Sequence, residues 1–536
     1  MNRFLKAVAL LLAVCCLVWL AVLWYWDRTH HDMSTLDIVW YLMVLPVTIF
    51  GLLILGKWAL GAANTKAEQR EAERAKKSEA NPSHPAEGMS PASAQQAVQR
   101  RAFALLSTHA STPAGLAGNA SLGDLVAAVK AGDCRPEPDQ TLTGEDGLPA
   151  LCARIPDLDT AELDPVFQAC MEQAIAPQTA GANNADREEI ERLPAHADEA
   201  TLRAIAALAP ALAASLEDIR LHEPALNAEP AKATPSQPVQ RPSRPSANTG
   251  LQQPSPKTQP PAPCLRVAWV WPQSFTARER IAADLWLRQQ VSQATADWLK
   301  PDRLKWAASA STDASTLWRD AEVFDNLSGD TLASTPRRGS LQLLLACHSD
   351  LSPQAIEVGE RAGNLHGAQR PAAQFASESA IALTLASPGW PVLEDNPPLC
   401  HLSRSNAVRR EKPIDSSGRV STASIDLVAS QLLEATGLKP ADVGAVASDA
   451  DQHTNRSKEY FGSLIGQFGH LDAVDDSTVL GAALGRLGPA APLLTTAVAG
   501  HLAKTSDCTC LALSLDDPLQ RFAVLATPLP PASPSA

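Results

Sequence analysis

The stretch SDADQHTNRSKE (448–459) places Asp449, Asp451, His453 and Glu459 close together, directly after the apolar run Val443–Ala447. A carboxylate beside an imidazole is the smallest set that can do general acid–base work. A polar cluster just past a strand is also where an α/β sheet gathers ligands and chemistry. His453 with Asp449 or Asp451 is therefore the candidate catalytic set. The competing reading is a polar loop that caps a helix, with Thr454 or Asn455 at the N-cap and Lys458 and Glu459 inside.

Thiols form a second constellation. Cys508 and Cys510, in CTC with Asp507 and His501 nearby, are the candidate metal ligands. On a strand their side chains point to one side. A zinc site needs further ligands, and no second cysteine pair lies near in sequence, so buried thiols are the alternative. Cys347-His348 and Cys400-His401 are adjacent pairs, and neighbours on a strand point apart. His30-His31 reads as part of a solvated loop. No Walker loop and no GxGxxG follows a strand, so no cofactor is expected.

The elements that must position these residues are legible as periodic segments. Apolar runs at 102–107, 148–155, 265–271, 341–347, 379–387, 443–448, 510–515 and 521–526 read as strands. Helical spacing appears at 122–132, 199–219, 278–299, 422–437, 478–488 and 491–504. Alternating strand and helix predict an α/β sheet covered on both faces. Between them, 223–263 is rich in proline and nearly free of large apolar residues. Such a segment cannot bury enough surface to offset chain entropy and reads as a linker.

The N-terminus carries a different signal. Residues 7–26 form an uncharged apolar run, and 37–60 a second with Asp37 and Lys57 at its edges. Each is long enough to cross a hydrocarbon core of ~30 Å. Pro46 is tolerated in such a helix, and Trp24, Tyr25, Trp26, Trp40 and Trp58 sit where rings favour the interface. The basic residues Arg3 and Lys6 precede the first run, and Lys57, Lys66, Arg70, Arg74, Lys76 and Lys77 flank the second on its far side. Positive-inside then places both ends in the cytoplasm, at a bacterial inner membrane. The cysteines beyond the hairpin are expected as free thiols there. A net charge of -13 argues against nucleic acid as a partner. The chain of 536 residues divides as a two-helix hairpin (1–64), a stalk (65–99), a first body segment (100–222), the linker (223–263), a second body segment (264–528) and a tail (529–536).

The body segments, in order, resemble the ketosynthase and thiolase superfamily. AFALLSTHASTPAG (102–115), LGDLVAAVKAGDCRP (122–136) and LCARIPDLDTAELD (151–164) look like its first strand, first helix and the segment that follows. LQLLLACHSD through FASESAIALTLAS (341–387) is similar to its paired central strands, with Glu378 at the family's glutamate and Ser377 and Ser379 replacing glycines. IDLVASQ through NRSKE (425–459) and LGRLGPAAPLLTTAVAG (484–500) resemble its two histidine-bearing passages. The resemblance implies a layered αβαβα body, interrupted by the Pro-rich insert, and a two-fold dimer.

It also implies a cysteine nucleophile at a helix start and paired histidines, or a histidine and an asparagine. No cysteine lies between Cys264 and Cys347. The segment 308–328 supplies a helix with Ser311 or Ser315 at its start instead. Asp449 or Asp451 stands where the first histidine belongs, and Pro489 where the second does. The expectation is a membrane-anchored, catalytically inactive thiolase-like binding or adaptor protein with a protein partner, associated with an export system such as type VI secretion. The alternatives left open are a membrane-tethered acyl-transfer or hydrolytic enzyme acting on lipid or acyl-thioester substrates, and a structural envelope component.

Overall fold

The computed structural model describes residues 103–174, 194–229, 262–325, 339–367, 370–416 and 418–529. The hairpin, the stalk, most of the linker and nearly all of the tail lie outside these residues. All described residues belong to one compact unit, Pro91–Ala536.

The body is a mixed α/β fold around one large sheet. Its first part contributes β1 (Phe103–Ser111), the hairpin of β2 (Glu137–Thr143) and β3 (Pro149–Ala153), and the helices α1 (Leu122–Ala131), α2 (Leu163–Gln173) and α3 (Glu199–Arg220). A short turn, α4 (Glu223–Leu226), follows and buries Leu226, so packing continues into the first residues of the segment read as linker. The chain then forms β4 (Cys264–Val270), α5 (Ala277–Thr295), β5 (Leu304–Trp306), α6 (Ala314–Phe324), β6 (Ser340–Ser349), α7 (Pro353–Arg361) and β7 (Ala376–Ala386). Last come β8 (Cys400–Leu402), β9 (Asn406–Arg409), α8 (Ala423–Thr436), β10 (Val443–Ser448), α9 (Thr454–Gln467), β11 (Ser477–Val479), α10 (Leu480–Leu484), α11 (Ala491–Ser506), β12 (Thr509–Ser514) and β13 (Gln520–Thr527).

Strand order along the sheet is β11-β10-β12-β13-β8-β1-β7-β6-β4-β5. Parallel pairs β4–β6 and β10–β12 sit on either side of antiparallel β1, β7 and β13. The central strands β4, β6 and β7 are buried along their whole length. That is why they read as continuous apolar runs rather than alternating ones.

Alternation does decide the other half. Phe522, Val524 and Ala526 of β13 join the core that holds α11, while Ala523 and Leu525 face the core built by α8 and α9. Cys510 and Ala512 of β12 divide from Leu511 and Leu513 in the same way. A period of two thus sends one strand's side chains into two cores. Helix α3 covers β1, β6 and β7, and α6 meets α11 at the inner faces. Among the described residues only α3 is long and apolar enough to cross a bilayer, and its apolar positions are buried in the body.

The helix expected over 478–488 is shorter. Ser477–Val479 pairs as a strand, α10 ends at Leu484, and Gly485 leaves the helix at φ +77°. A residue at Gly485 would also meet the Phe375 carbonyl, so glycine is required at this crossing.

Candidate functional site

Parallel strands end together, and their C-terminal ends open onto a cavity of about 590 Å³. Trp271 after β4, His348 and Asp350 at the end of β6, and Ser514 and Asp516 at the end of β12 form its floor. The start of α6, the loop Arg486–Pro489 and His453 close its sides.

His348 and Asp350 are the most enclosed pair in this wall. One residue separates them, so the strand's period places both side chains on one face. His348 is opposite Ser379 on β7, and the Asp350 N–H donates to the Ser377 carbonyl at 2.9 Å. Nε2 of His348 lies 2.9 Å from Oδ2 of Asp350, and Nη1 of Arg486 donates to Oδ1 at 3.1 Å. Burial opposes the charge on Asp350. The Arg486 and His348 side chains override it and hold the carboxyl below its ordinary range.

The sequence candidates near β10 do not form one set. Nε2 of His453 faces Asp415 at 3.2 Å, not Asp449 or Asp451. Asp451 accepts the backbone N–H of His453 and pairs with Arg456 at 2.6 Å. Asp449 turns inward, accepting the Ser514 hydroxyl and the Leu515 N–H, the latter at 2.6 Å. Burial and the neighbouring Asp516 carboxylate push Asp449 up to about 7. The cap expected at Thr454 or Asn455 is also displaced: His453 is the N-cap residue of α9, and the Asn455 amide donates to the Ile414 carbonyl.

The helix start expected over 308–328 is α6, with Asp313 as its N-cap. Asp313 accepts from the Thr316 N–H at 2.8 Å and from the Ser315 hydroxyl at 2.6 Å. Burial disfavours the Asp313 charge, yet these bonds hold its carboxyl below the ordinary range. Ser315 Oγ also lies 3.1 Å from Gln520 Oε1. Ser311 lies before the helix, its backbone N–H donating to the Trp269 carbonyl at 2.8 Å. Pro489 stands at the cavity in the turn that leads into α11.

Thiols take no part in this wall. Among the described residues no cysteine lines the cavity. Burial raises the thiols of Cys152 and Cys400 to about 12 and drives Cys347 higher still. Cys510 is fully buried and Cys508 half-buried, and burial raises both thiols. The described residues contain no cluster of three or more His, Cys, Asp or Glu able to hold a metal. Glu378 is structural: it pairs with Arg203 through two 2.7 Å bonds and accepts the Ile155 N–H.

Solved structures similar to this chain are ketosynthase-type domains. The ishigamide ketosynthase/chain length factor is 14% identical with a TM-score of 0.46, covering 80% of this chain and 100% of that one. The ketosynthase from module 1 of the bacillaene synthase of Bacillus amyloliquefaciens FZB42 is 11% identical with a TM-score of 0.42, covering 82% and 77%. No protein-family model and no curated protein matches the chain.

Sequence reading weighed His348 only with Cys347 and missed Asp350, Arg486 and Asp415. A His-x-Asp at the end of an apolar strand carries a usable signal, because i and i+2 share a face. Arg486 and Asp415 come from distant loops, and nothing local announces them.

Proposed function

We propose that this chain is a non-condensing, thiolase-like binding protein, tethered to the cytoplasmic face of a bacterial inner membrane by its N-terminal hairpin. Its cavity holds a ligand, and its body serves a partner as an adaptor, as in an export system.

The start of α6 carries this reading. A condensing enzyme needs a helix N-terminus free to stabilise a thiolate, because unpaired N–H groups and the helix dipole favour negative charge there. In this chain Asp313 already occupies that position with its own carboxylate. The hydroxyls around it, those of Ser315, Thr316 and Thr312, are all held by the same carboxylate. The fixed negative charge opposes the anion that acyl transfer would have to build. Pro489 brings neither an imidazole nor an N–H donor to the facing turn.

The test is intact-mass analysis of the full chain in detergent micelles after incubation with hexanoyl-coenzyme A and with the ketosynthase inhibitor cerulenin. The expected result is an unchanged mass. A stoichiometric adduct at any single residue overturns the reading.

A further inference from the structure

Helices α8 and α9 lie side by side on one half of the sheet. Ile425, Val428 and Leu432 of α8 fill the same core as Tyr460 and Leu464 of α9. The opposite faces of both helices therefore point outward. The two run in the same direction. Asp426 accepts the Ser463 hydroxyl at 2.6 Å, and one turn on Ser430 accepts the Gln467 amide at 2.8 Å. Near the start of α8, Thr422 comes against Gly462, where a Cβ would lie 2.9 Å from its methyl group.

The paired outer faces are apolar at their centre. Ile465 is 71% exposed, Leu427 46% and Phe461 36%. A helix on a soluble body normally turns its charges outward. In α9, Arg456 and Glu459 are instead buried in ion pairs, and Lys458 is the one charge on the outer face. On α8 the outer face carries Glu434 alone, because Asp426 is turned to Ser463. Leu427 and Glu434 are seven residues apart, as are Lys458 and Ile465, so each pair shares one face of its helix.

The two charges stand at opposite ends of this patch. Lys458 lies more than a turn before Ser463, and Glu434 two turns beyond Asp426, while Asp426 and Ser463 meet. Leu427 and Ile465 fall between the ends. Among the described residues neither Lys458 nor Glu434 has an ion-pair partner.

Such a patch is complementary to itself. A two-fold interface sets the same surface against its own copy. With the axis in the plane of the patch, running between its ends, Lys458 of each copy comes over Glu434 of the other. The apolar centres then cover one another, giving an apolar core with a polar rim. An anionic surface would meet like charge at Glu434, and a basic partner would meet it at Lys458. A second copy satisfies both ends at once.

We infer that the outer face of α8 and α9 binds a second copy of this chain across a two-fold axis, through Leu427, Phe461 and Ile465, with Lys458 of each copy paired to Glu434 of the other. None of these five residues lines the cavity, so the inference stands whatever the cavity does. Strand β5 ends the sheet on the far side, so a dimer paired along that edge would leave this face open.

The test follows the assembly of the full chain in detergent micelles by analytical ultracentrifugation over a range of protein concentrations. I465E puts a charge at the apolar centre without touching the core. K458E and E434K each set like charges against one another twice per interface, and K458E/E434K exchanges the ends and restores the match. The expected result is an assembly step in the wild type that I465E abolishes. Either single reversal weakens that step about tenfold, and the double reversal recovers it. Association through any other surface persists in I465E and serves as the baseline. Equal assembly of wild type and I465E overturns the inference, as would follow if lipid or a different protein covered this face. Single reversals without effect, or a double reversal as weak as the singles, overturn it too. All three positions are exposed, and an unchanged Tm of each variant shows that the body is intact.

Discussion

His348 and Asp350 face each other at 2.9 Å from the same strand end, and Arg486 reaches Asp350 from a loop more than a hundred residues away. The pair is local in sequence, while the charge that fixes it is not. This division recurs across the cavity. Asp451 and Arg456 belong to one short segment, but the carbonyl that completes Arg456 is that of Asp516. The wall is therefore assembled from local pairs, each pinned by one long-range contact.

Replacing Asp350 removes the negative charge shared by buried His348 and half-buried Arg486. D350N leaves Arg486 without its counter-charge, and because Arg486 is partly exposed to water the cost falls between those of surface and buried pairs, about 1–3 kcal/mol. The full chain in detergent should show a clearly lower Tm at pH 7. The Asp350 carboxyl is held below its ordinary 3.8, so it contributes stability above that value. The contribution is lost as pH falls through the depressed value. The gap between wild type and D350N must therefore narrow in acid. A gap that is constant with pH would count against the ion pair.

Asp449 behaves in the opposite sense. Its carboxyl is pushed from 3.8 up to about 7, so the folded state holds a proton that the unfolded state releases. The group stabilises below about 4, and the benefit is lost as pH rises through about 7. At pH 8 the ionised, buried carboxylate is a liability on the order of 4 kcal/mol. D449N mimics the protonated form, with Ser514 turning its hydroxyl to suit. It should raise Tm at pH 8 and leave it nearly unchanged at pH 4. Equal shifts at both pH values would refute the assignment.

Much of the body was legible, and the reason lies in particular elements. LQLLLAC and SAIALTLAS are buried on every side chain, so composition alone marked β6 and β7. The helix at 199–219 announced itself by its apolar face, and α3 covers that range. Short strands such as β5, β8 and β11 were not legible, because three residues carry no period. Asp449 and Asp451 were placed beside His453 by sequence distance. The strand's exit directs Asp449 to Ser514 on β12, and the first turn of α9 gives Asp451 to Arg456. Sequence proximity found the loop, but tertiary pairing decided which carboxylate meets which base.

A thiol introduced at Ser315 should be sluggish. Its sulfur would sit beside the Asp313 carboxylate, which now lies 2.6 Å from Oγ, and a neighbouring negative charge disfavours the thiolate. S315C should react with iodoacetamide at pH 7 no faster than free cysteine. Asparagine also caps helices well, so D313N keeps α6 while removing the charge. The D313N/S315C pair should then react about tenfold faster, because the carboxylate no longer opposes the thiolate that the helix N-terminus favours. Fast alkylation of S315C alone would show that the carboxylate does not govern this position.

The proposed tether makes the last prediction. The apolar runs 7–26 and 37–60 read as a hairpin whose basic flanks, Arg3 and Lys6 before and Lys66 and Arg70 after, stay in the cytoplasm. The loop 27–37 must then lie on the outer side. A cysteine introduced by S34C should react with a membrane-impermeant maleimide in intact spheroplasts. Cys508, half-buried in the body, should react only after the membrane is broken. The full chain should stay in the membrane pellet through carbonate washing, and removal of residues 1–64 should release the body to the supernatant. Labelling of Cys508 in intact spheroplasts would invert the topology. Release of the full chain by carbonate would rule out a spanning hairpin, because two buried apolar helices of this length do not leave a bilayer reversibly.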